Sequence, residues 1–387
     1  MKLVSVIHGN VFGGAHNQAL RLAPYLSDLG FETAVILPEG AGDAAGKLSD
    51  AGIDVYRLPL ARLRATTNVA TQGQMFRTSF GQLQRLERTL IRTRADLVQV
   101  HGVTNFDGAI AARRLGLPVV WQLLDTRAPR QLRRLLRPFV TRYADVIMST
   151  GVTVARMHGI SPGNPRLHPF FPPVDVRAFS EITAQSRSAT RGLLGVTADE
   201  FVVGSVANFN PQKGHEYLIR AVALANADLP RPIVLRIRGS RSPAHPEYLD
   251  ALRRLAAAAG LGDSVLNPPE CGIPELMSAF DVVALTPVRR SEGVPTVLLE
   301  AAAAGKATLT TDVGGVREVI RPEGTGLIVG PEAVSDIASA LVRLSDRLFR
   351  AYLGGEASAG AGQFDVARCA QTHARAYGAA LQSWRVL

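Results

Sequence analysis

The chain of 387 residues exceeds the roughly 250–300 at which one hydrophobic core stops growing, so two domains are expected. It is 47% hydrophobic and 6% aromatic, an ordinary α/β balance, and no apolar run approaches the roughly 20 residues of a membrane-spanning helix. The net charge of +10 rests on arginine, since only four of the 43 basic residues are lysines (2, 47, 213 and 306); with no zinc-ligand spacing or RNA-binding aromatic motif beside it, nucleic acid is not an expected partner.

Residues 3–7 read as a first strand that leads straight into a glycine loop without a small-residue cleavage site, which argues against a signal peptide. Cys271 and Cys369 are too few and too far apart for a disulfide framework, and a reducing cytoplasm is the expected compartment. The loop spans 9–14, a helix 17–30 stops at Gly30, and the next strand covers 33–37. Gly13-Gly14-Ala15 between strand and helix allows backbone N–H groups close to a phosphate, but it lacks the three spaced glycines of a dinucleotide fingerprint. Further apolar runs at 53–58, 97–100, 119–124 and 146–149 alternate with helical segments, as a parallel sheet covered on both faces requires. His16 and Asn17 after the loop, His101 and Asp107 after the 97–100 strand, and Asp125 after the 119–124 strand are candidate acceptor-binding groups.

Arg127, Arg130, Arg133, Arg134, Arg137 and Arg142 interleave with Leu132, Leu135, Leu136, Phe139 and Val140. This is a basic amphipathic helix that can lie on an anionic membrane. The alternative is a core-packed helix with a solvated arginine face, and the helical spacing of Leu132, Leu135, Leu136 and Phe139 favours it, so a membrane surface is not the preferred partner. A proline-rich linker at 168–175 follows. A second series of apolar runs occupies 201–206, 234–237, 264–266, 282–285, 307–310 and 327–329, and a helix over 366–384 closes the chain.

Two motifs in this second series carry chemistry. Asn208-Phe209-Asn210-Pro211-Gln212-Lys213-Gly214-His215 places a lysine after a strand and a turn. Ser291-Glu292-Gly293-Val294-Pro295-Thr296-Val297-Leu298-Leu299-Glu300-Ala301 sets one carboxylate before a Gly-Val-Pro turn and a second about a turn inside an apolar helix that starts near Pro295. Free N–H groups at that helix start, with carboxylates beside them, suit a ligand that carries both phosphates and hydroxyls, as a nucleotide sugar does.

With the following 305–320 and 324–329 segments, these motifs resemble the carboxy-terminal half of the retaining, nucleotide-sugar-dependent glycosyltransferases of family 4 over most of residues 200–330, and more loosely before that. The resemblance implies a GT-B fold: two facing Rossmann-like, doubly wound α/β domains with a cleft between them. Residues 1–172 would form the acceptor side and 173–365 the donor-binding domain, with 366–387 a helix returning to the first. It implies a metal-independent hexosyltransferase that moves a hexose or amino-hexose from a nucleoside diphosphate sugar, UDP on family frequency, to a carbohydrate or natural-product hydroxyl. By the same resemblance Glu292 contacts the transferred sugar and Glu300 accepts the ribose hydroxyls. Lys213 compensates the diphosphate, N–H groups of Gly293, Val294, Thr296 and Val297 face sugar or phosphate, and Gly13 and Gly14 lie against the diphosphate or the acceptor.

The chain departs from the family twice. Asn208 replaces an arginine five residues before the lysine, which Arg241, or Arg289 and Arg290, can replace in charge. Leu124 replaces a histidine before Asp125. No Asp-x-Asp triplet and no metal-ligand spacing occurs, so no cofactor beyond the co-substrate is expected. Two rivals remain: a nucleotide-sugar epimerase of similar architecture, and a nucleotide-sugar-binding protein without transfer activity.

Overall fold

The computed structural model describes residues 1–60, 69–242, 244–262, 265–266, 268–289 and 291–385, without the side chains of 69–80 and 385. The chain divides into two compact units, Met1–Pro173 with Val366–Leu387, and Val174–Asp365.

In the first unit β1 (Lys2–Val6), α1 (Gly14–Asp28), β2 (Glu32–Pro38), α2 (Ala44–Asp50), β3 (Asp54–Leu58), α3 (Val69–Arg92), β4 (Leu97–His101), α4 (Phe106–Arg114), β5 (Val119–Leu123), α5 (Arg130–Tyr143), β6 (Val146–Thr150), α6 (Gly151–Met157) and β7 (Leu167–Phe170) alternate along the chain. Among the described residues the sheet runs β3-β2-β1-β4-β5-β6-β7. The pairs are parallel, with Val4 opposite Ala34 on one side and Val98 on the other. Helices cover both faces, so β4 and β5 are buried along their whole length, the polar Gln99, His101 and Gln122 included. β7 corrects the reading of 168–175 as linker from its start: His168, Pro169 and Phe170 pair with Met148, Ser149 and Thr150 of β6. Pro169 is tolerated there because an edge strand can spare an N–H.

The second unit contains α7 (Val176–Ser180), α8 (Ala184–Leu193), β8 (Val202–Val206), α9 (His215–Ala225), β9 (Val234–Arg238), α10 (Tyr248–Ala258), α11 (Ile273–Ala279), β10 (Val282–Leu285), α12 (Thr296–Ala303), β11 (Ala307–Thr311), β12 (Gly326–Val329), α13 (Val334–Leu344) and α14 (Arg347–Gly360). Its parallel sheet runs β12-β11-β10-β8-β9 among the described residues. The strand expected at 264–266 is reduced to an isolated bridge between Leu266 and Ile237, with Ser264 outside the described residues.

The last helix, α15 (Val366–Arg385), belongs to the first unit. Its Val366, Ala370, Ala376, Tyr377 and Ala380 pack in one cluster with Leu3, Leu22, Leu97, Val120 and Met148. Three buried alanines on one face of α15 let it approach closely, and Tyr377 fills the space that remains.

Each sheet has a point where the chain reverses its direction of winding. In the first unit it lies between β1 and β4, which lead to β2 and β5 on opposite sides. In the second it lies between β8, which leads to β9, and β10, which leads to β11. Open parallel sheets hold ligands in the crevice beyond the carboxyl ends of the strands at such points.

Candidate functional site

In the second unit the crossing loops carry Lys213 and Glu292. After β8, the Asn210 side chain accepts a hydrogen bond from the Gln212 N–H at 2.9 Å and caps a single 3-10 turn, Pro211–Lys213. Gly214 then reverses the chain into α9 at φ +65°, and a Cβ at this position would lie 2.0 Å from the Thr286 carbonyl oxygen. The loop leaving β10 holds the turn in place: Thr286 Oγ1 donates to the Gly214 carbonyl at 2.9 Å, and the Val288 N–H donates to the Gln212 carbonyl at 3.1 Å. At the start of α9, His215 is buried and donates from Nε2 to the Asn208 carbonyl at 3.2 Å. Burial pushes its pKa down to about 4, so the ring is neutral.

With both loops fixed, Lys213 Nζ meets the Glu292 carboxylate in a direct ion pair. Glu292, Gly293 and Val294 are packed from the other side by Gly314 and Gly315. The Gly315 N–H donates to the Gly293 carbonyl at 2.7 Å, and a Cβ on Gly314 would stand 2.4 Å from that oxygen. α12 begins at Thr296, behind Pro295, with no side-chain cap and no acidic residue in its first turn. Its N-terminal dipole therefore stays available to a ligand. Glu300 follows one turn later at 6% exposure, a carboxylate set in an otherwise apolar buried helix.

Asn208 is exposed, and its Oδ1 accepts from Ser240 Oγ at 2.9 Å. Arg241, whose backbone bridges Phe209 next to Asn208, gives its guanidinium to Asp250, at 3.0 Å, and to the Pro246 carbonyl, at 2.9 Å. Arg289 lines a separate depression of about 290 Å³ with Asp312, Arg317 and the segment after β12, and Arg290 lies outside the described residues. Lys213 is a cation that the fold brings to Glu292 among the described residues.

In the first unit the crevice lies between the loops that leave β1 and β4. Asp107, in the first turn of α4, accepts from His8 Nε2 at 2.9 Å, from the Gln82 amide, and from the Gly108 N–H at 3.0 Å. Burial alone would raise its pKa, but His8, Gln82 and Gly108 together outweigh it and hold the carboxyl below the usual carboxylate range. His8 was not among the expected site residues. A single histidine just past a strand has no periodic signature, and only the pairing of β1 with β4 reveals that it faces Asp107.

His16 and His101 require correction as acceptor ligands. His16 Nδ1 accepts from the Gly13 N–H at 3.1 Å and its Nε2 donates to the Gly9 carbonyl at 2.9 Å, so both ring nitrogens brace the glycine loop from within. His101 is 4% exposed, with Nε2 2.7 Å from Ser5 Oγ, and burial drives its pKa down to about 3. Asn17 stands half-buried on α1, one residue beyond His16. Gly13 and Gly14 border open space: a Cβ on Gly13 would meet only the Val11 carbonyl at 3.9 Å, and one on Gly14 nothing within 4 Å. Asp125 is half-buried after β5 and accepts from the Arg127 N–H at 3.1 Å. Leu124 packs against the cluster beneath α15, so an apolar side chain stands at the family's histidine position.

A family model described as glycosyl transferases group 1 matches residues 187–354, and one described as a glycosyl transferase 4-like domain matches residues 13–170. A D-inositol 3-phosphate glycosyltransferase of Actinosynnema mirum is 31% identical over 299 residues, 72% of this chain and 70% of that protein. One from Nocardia farcinica is 36% identical over 203 residues, and the match spans 50% of this chain and less than half, 44%, of that protein. Among solved structures, Anabaena HepE in complex with UDP-glucose superposes with a TM-score of 0.79 at 22% identity, over 97% of this chain and 98% of that one. Sucrose-phosphate synthase from Thermosynechococcus elongatus superposes with a TM-score of 0.76 at 18% identity over the full length of both. At these identities the structural likeness speaks for the fold.

Proposed function

The chain belongs to the group 1 glycosyltransferases, and from that premise we propose that it moves a hexose or amino-hexose from UDP to a hydroxyl of a carbohydrate or natural-product acceptor, with retention at the anomeric carbon. The observation that carries this reading is the Lys213–Glu292 pair held across the switch point of the second sheet, with Glu300 one turn inside the adjoining helix. The choice of uridine is supported by the Anabaena HepE complexes with UDP and with UDP-glucose.

In this reading Glu300 accepts the two ribose hydroxyls, as an acceptor-only carboxylate can. The diphosphate takes over the Lys213 ammonium, and Glu292 turns to the hydroxyls of the sugar. As the bond from the anomeric carbon to the diphosphate oxygen lengthens, negative charge grows on the leaving group beside Lys213 and the dipole of α12, where fixed charges are most effective. The acceptor hydroxyl attacks on the same face, and its proton passes to the departing diphosphate. No metal is required, because lysine and helix dipole supply the positive charge.

Thermal shift against a panel of nucleotide sugars identifies the donor, since a ligand at about 100 times its Kd adds roughly 2.7 kcal/mol. NMR of the product formed with that donor and a panel of sugar acceptors then reads the new linkage. The expected result is UDP release that depends on acceptor and a product with the donor's anomeric configuration. Inversion, or an epimerised nucleotide sugar without any acceptor product, overturns the proposal.

A further inference from the structure

Transfer chemistry makes no use of helix α5, whose outer face differs from the one its sequence suggests. Residues 127–143 contain six arginines and no acidic residue. Leu136 and Val140 are buried and Leu132 packs against the core of the first unit, as the helical stripe requires. The same stripe should have buried Leu135 and Phe139, yet they are 69% and 47% exposed. Their place on the inner face is taken by Arg133, which is buried and donates from Nη1 to the Met157 carbonyl at 2.6 Å. Arg137 turns to the Gly159 carbonyl.

The outward face therefore carries Leu135, Phe139 and Arg142 at i, i+4 and i+7, with Arg134 and Arg130 on its flank. Arg130, Arg134 and Arg142 are exposed and make no ion pair with a carboxylate among the described residues. Apolar side chains projecting from a helix, ringed by arginines and free of acidic residues, match a layer whose outer charge is negative and whose interior is hydrocarbon. Arginine stems lie along such a boundary with their guanidinium groups among the headgroups. A protein partner of matching charge would need a shaped apolar recess, whereas a bilayer accepts Leu135 and the outer edge of Phe139, whose ring rests on Phe106 and Tyr143.

We propose that α5 docks the protein on an anionic lipid bilayer, with Leu135 and Phe139 inserted at the headgroup boundary and Arg130, Arg134 and Arg142 on the headgroups. The experiment is cosedimentation of the full chain with vesicles of phosphatidylcholine alone or mixed with phosphatidylglycerol, over a salt series. Binding is expected only with phosphatidylglycerol, and added salt should release it. Leu135→Ser with Phe139→Ser should weaken binding roughly tenfold or more, through lost apolar insertion. Arg130→Gln, Arg134→Gln and Arg142→Gln together should weaken it on the order of a hundredfold. The arginine variant should keep the wild-type melting temperature, since all three guanidinium groups are exposed, and the melting temperature of the Leu135→Ser, Phe139→Ser variant is measured alongside because Phe139 also packs on Phe106 and Tyr143. Indifference of the wild type to acidic vesicles at low salt overturns the proposal, as does binding that both variants retain. Self-association in sedimentation velocity that Leu135→Ser with Phe139→Ser abolishes, without lipid binding, would assign the face to a second copy of the chain and overturn it as well.

Discussion

Glu292 pairs with the Lys213 ammonium, so in the proposed reaction the charge that the leaving group needs is already positioned and partly desolvated. Bringing in the diphosphate exchanges one anionic partner for another, and no buried cation is left alone in either state. The interaction that differs between ground and transition state is the one with the developing diphosphate charge. Lys213→Ala should therefore lower kcat by about 10²–10³, the loss seen when one preorganised stabilising group is removed, with a smaller effect on donor affinity. Steady-state kinetics check this: a normal kcat with only a raised KM would reduce Lys213 to a binding residue. Glu300 sits away from the reacting bond in the proposed complex, so Glu300→Ala should act on affinity. A loss of about 1.5–3 kcal/mol in UDP binding is expected by calorimetry, and unchanged affinity would remove its ribose assignment.

Two glycines, each at the start of a helix, differ in what the elements around them demand. Gly214→Ala would combine a left-handed φ of +65° with a Cβ 2.0 Å from a backbone oxygen, Thr286 O, which has no rotamer to escape into. The expected cost is at least about 2–3 kcal/mol in urea unfolding, from the αL penalty plus local overpacking, with loss of turnover as Lys213 shifts. Gly14→Ala adds a Cβ in open space at the first residue of α1, so stability should be unchanged or slightly higher. An increase in KM there, with stability intact, would show that a ligand uses that space. The sequence made much of this legible. The central strands are buried on both faces, so their apolar runs stand out, and Pro295 marks the start of α12, where its missing N–H costs nothing. Other features depend on what lies opposite. Pro169 disguises β7 as linker, the facing of His8 and Asp107 exists only once β1 and β4 pair, and the spacing of Leu135 and Phe139 fixes a shared helix face without saying what covers it.

The first unit is assembled from both ends of the chain, and a polar network buried between α1, the sheet and α15 joins them. His373 donates from Nδ1 to the Cys369 carbonyl at 2.9 Å, while its Nε2 accepts from the amides of Gln18, at 2.8 Å, and Gln122, at 3.0 Å. Tyr377 donates to Gln99 Oε1 at 2.7 Å, and the Gln99 amide meets His101 Nε2 at 3.1 Å. Protonating His373 would set an N–H against two amide donors in a site closed to water. Burial accordingly holds its pKa down to about 4, and that of His101 to about 3. Both lie below the unfolded value near 6.5, so the unfolded chain gains protons first as pH falls. The stability these neutral histidines confer is complete above about pH 6.5 and is lost progressively as pH drops toward 4 and 3, at about 1.4 kcal/mol per pH unit for each. Asp107, held below the usual carboxylate range, adds its own loss only at still lower pH. Urea unfolding of the first unit should therefore show a clearly lower midpoint at pH 5 than at pH 7. His373→Gln supplies an amide in place of the ring; it should cost stability at pH 7 and less at pH 5, because one titrating group has gone. A midpoint that is flat between pH 7 and 5, or a variant with the wild-type slope, would show that the network does not couple α15 to protonation.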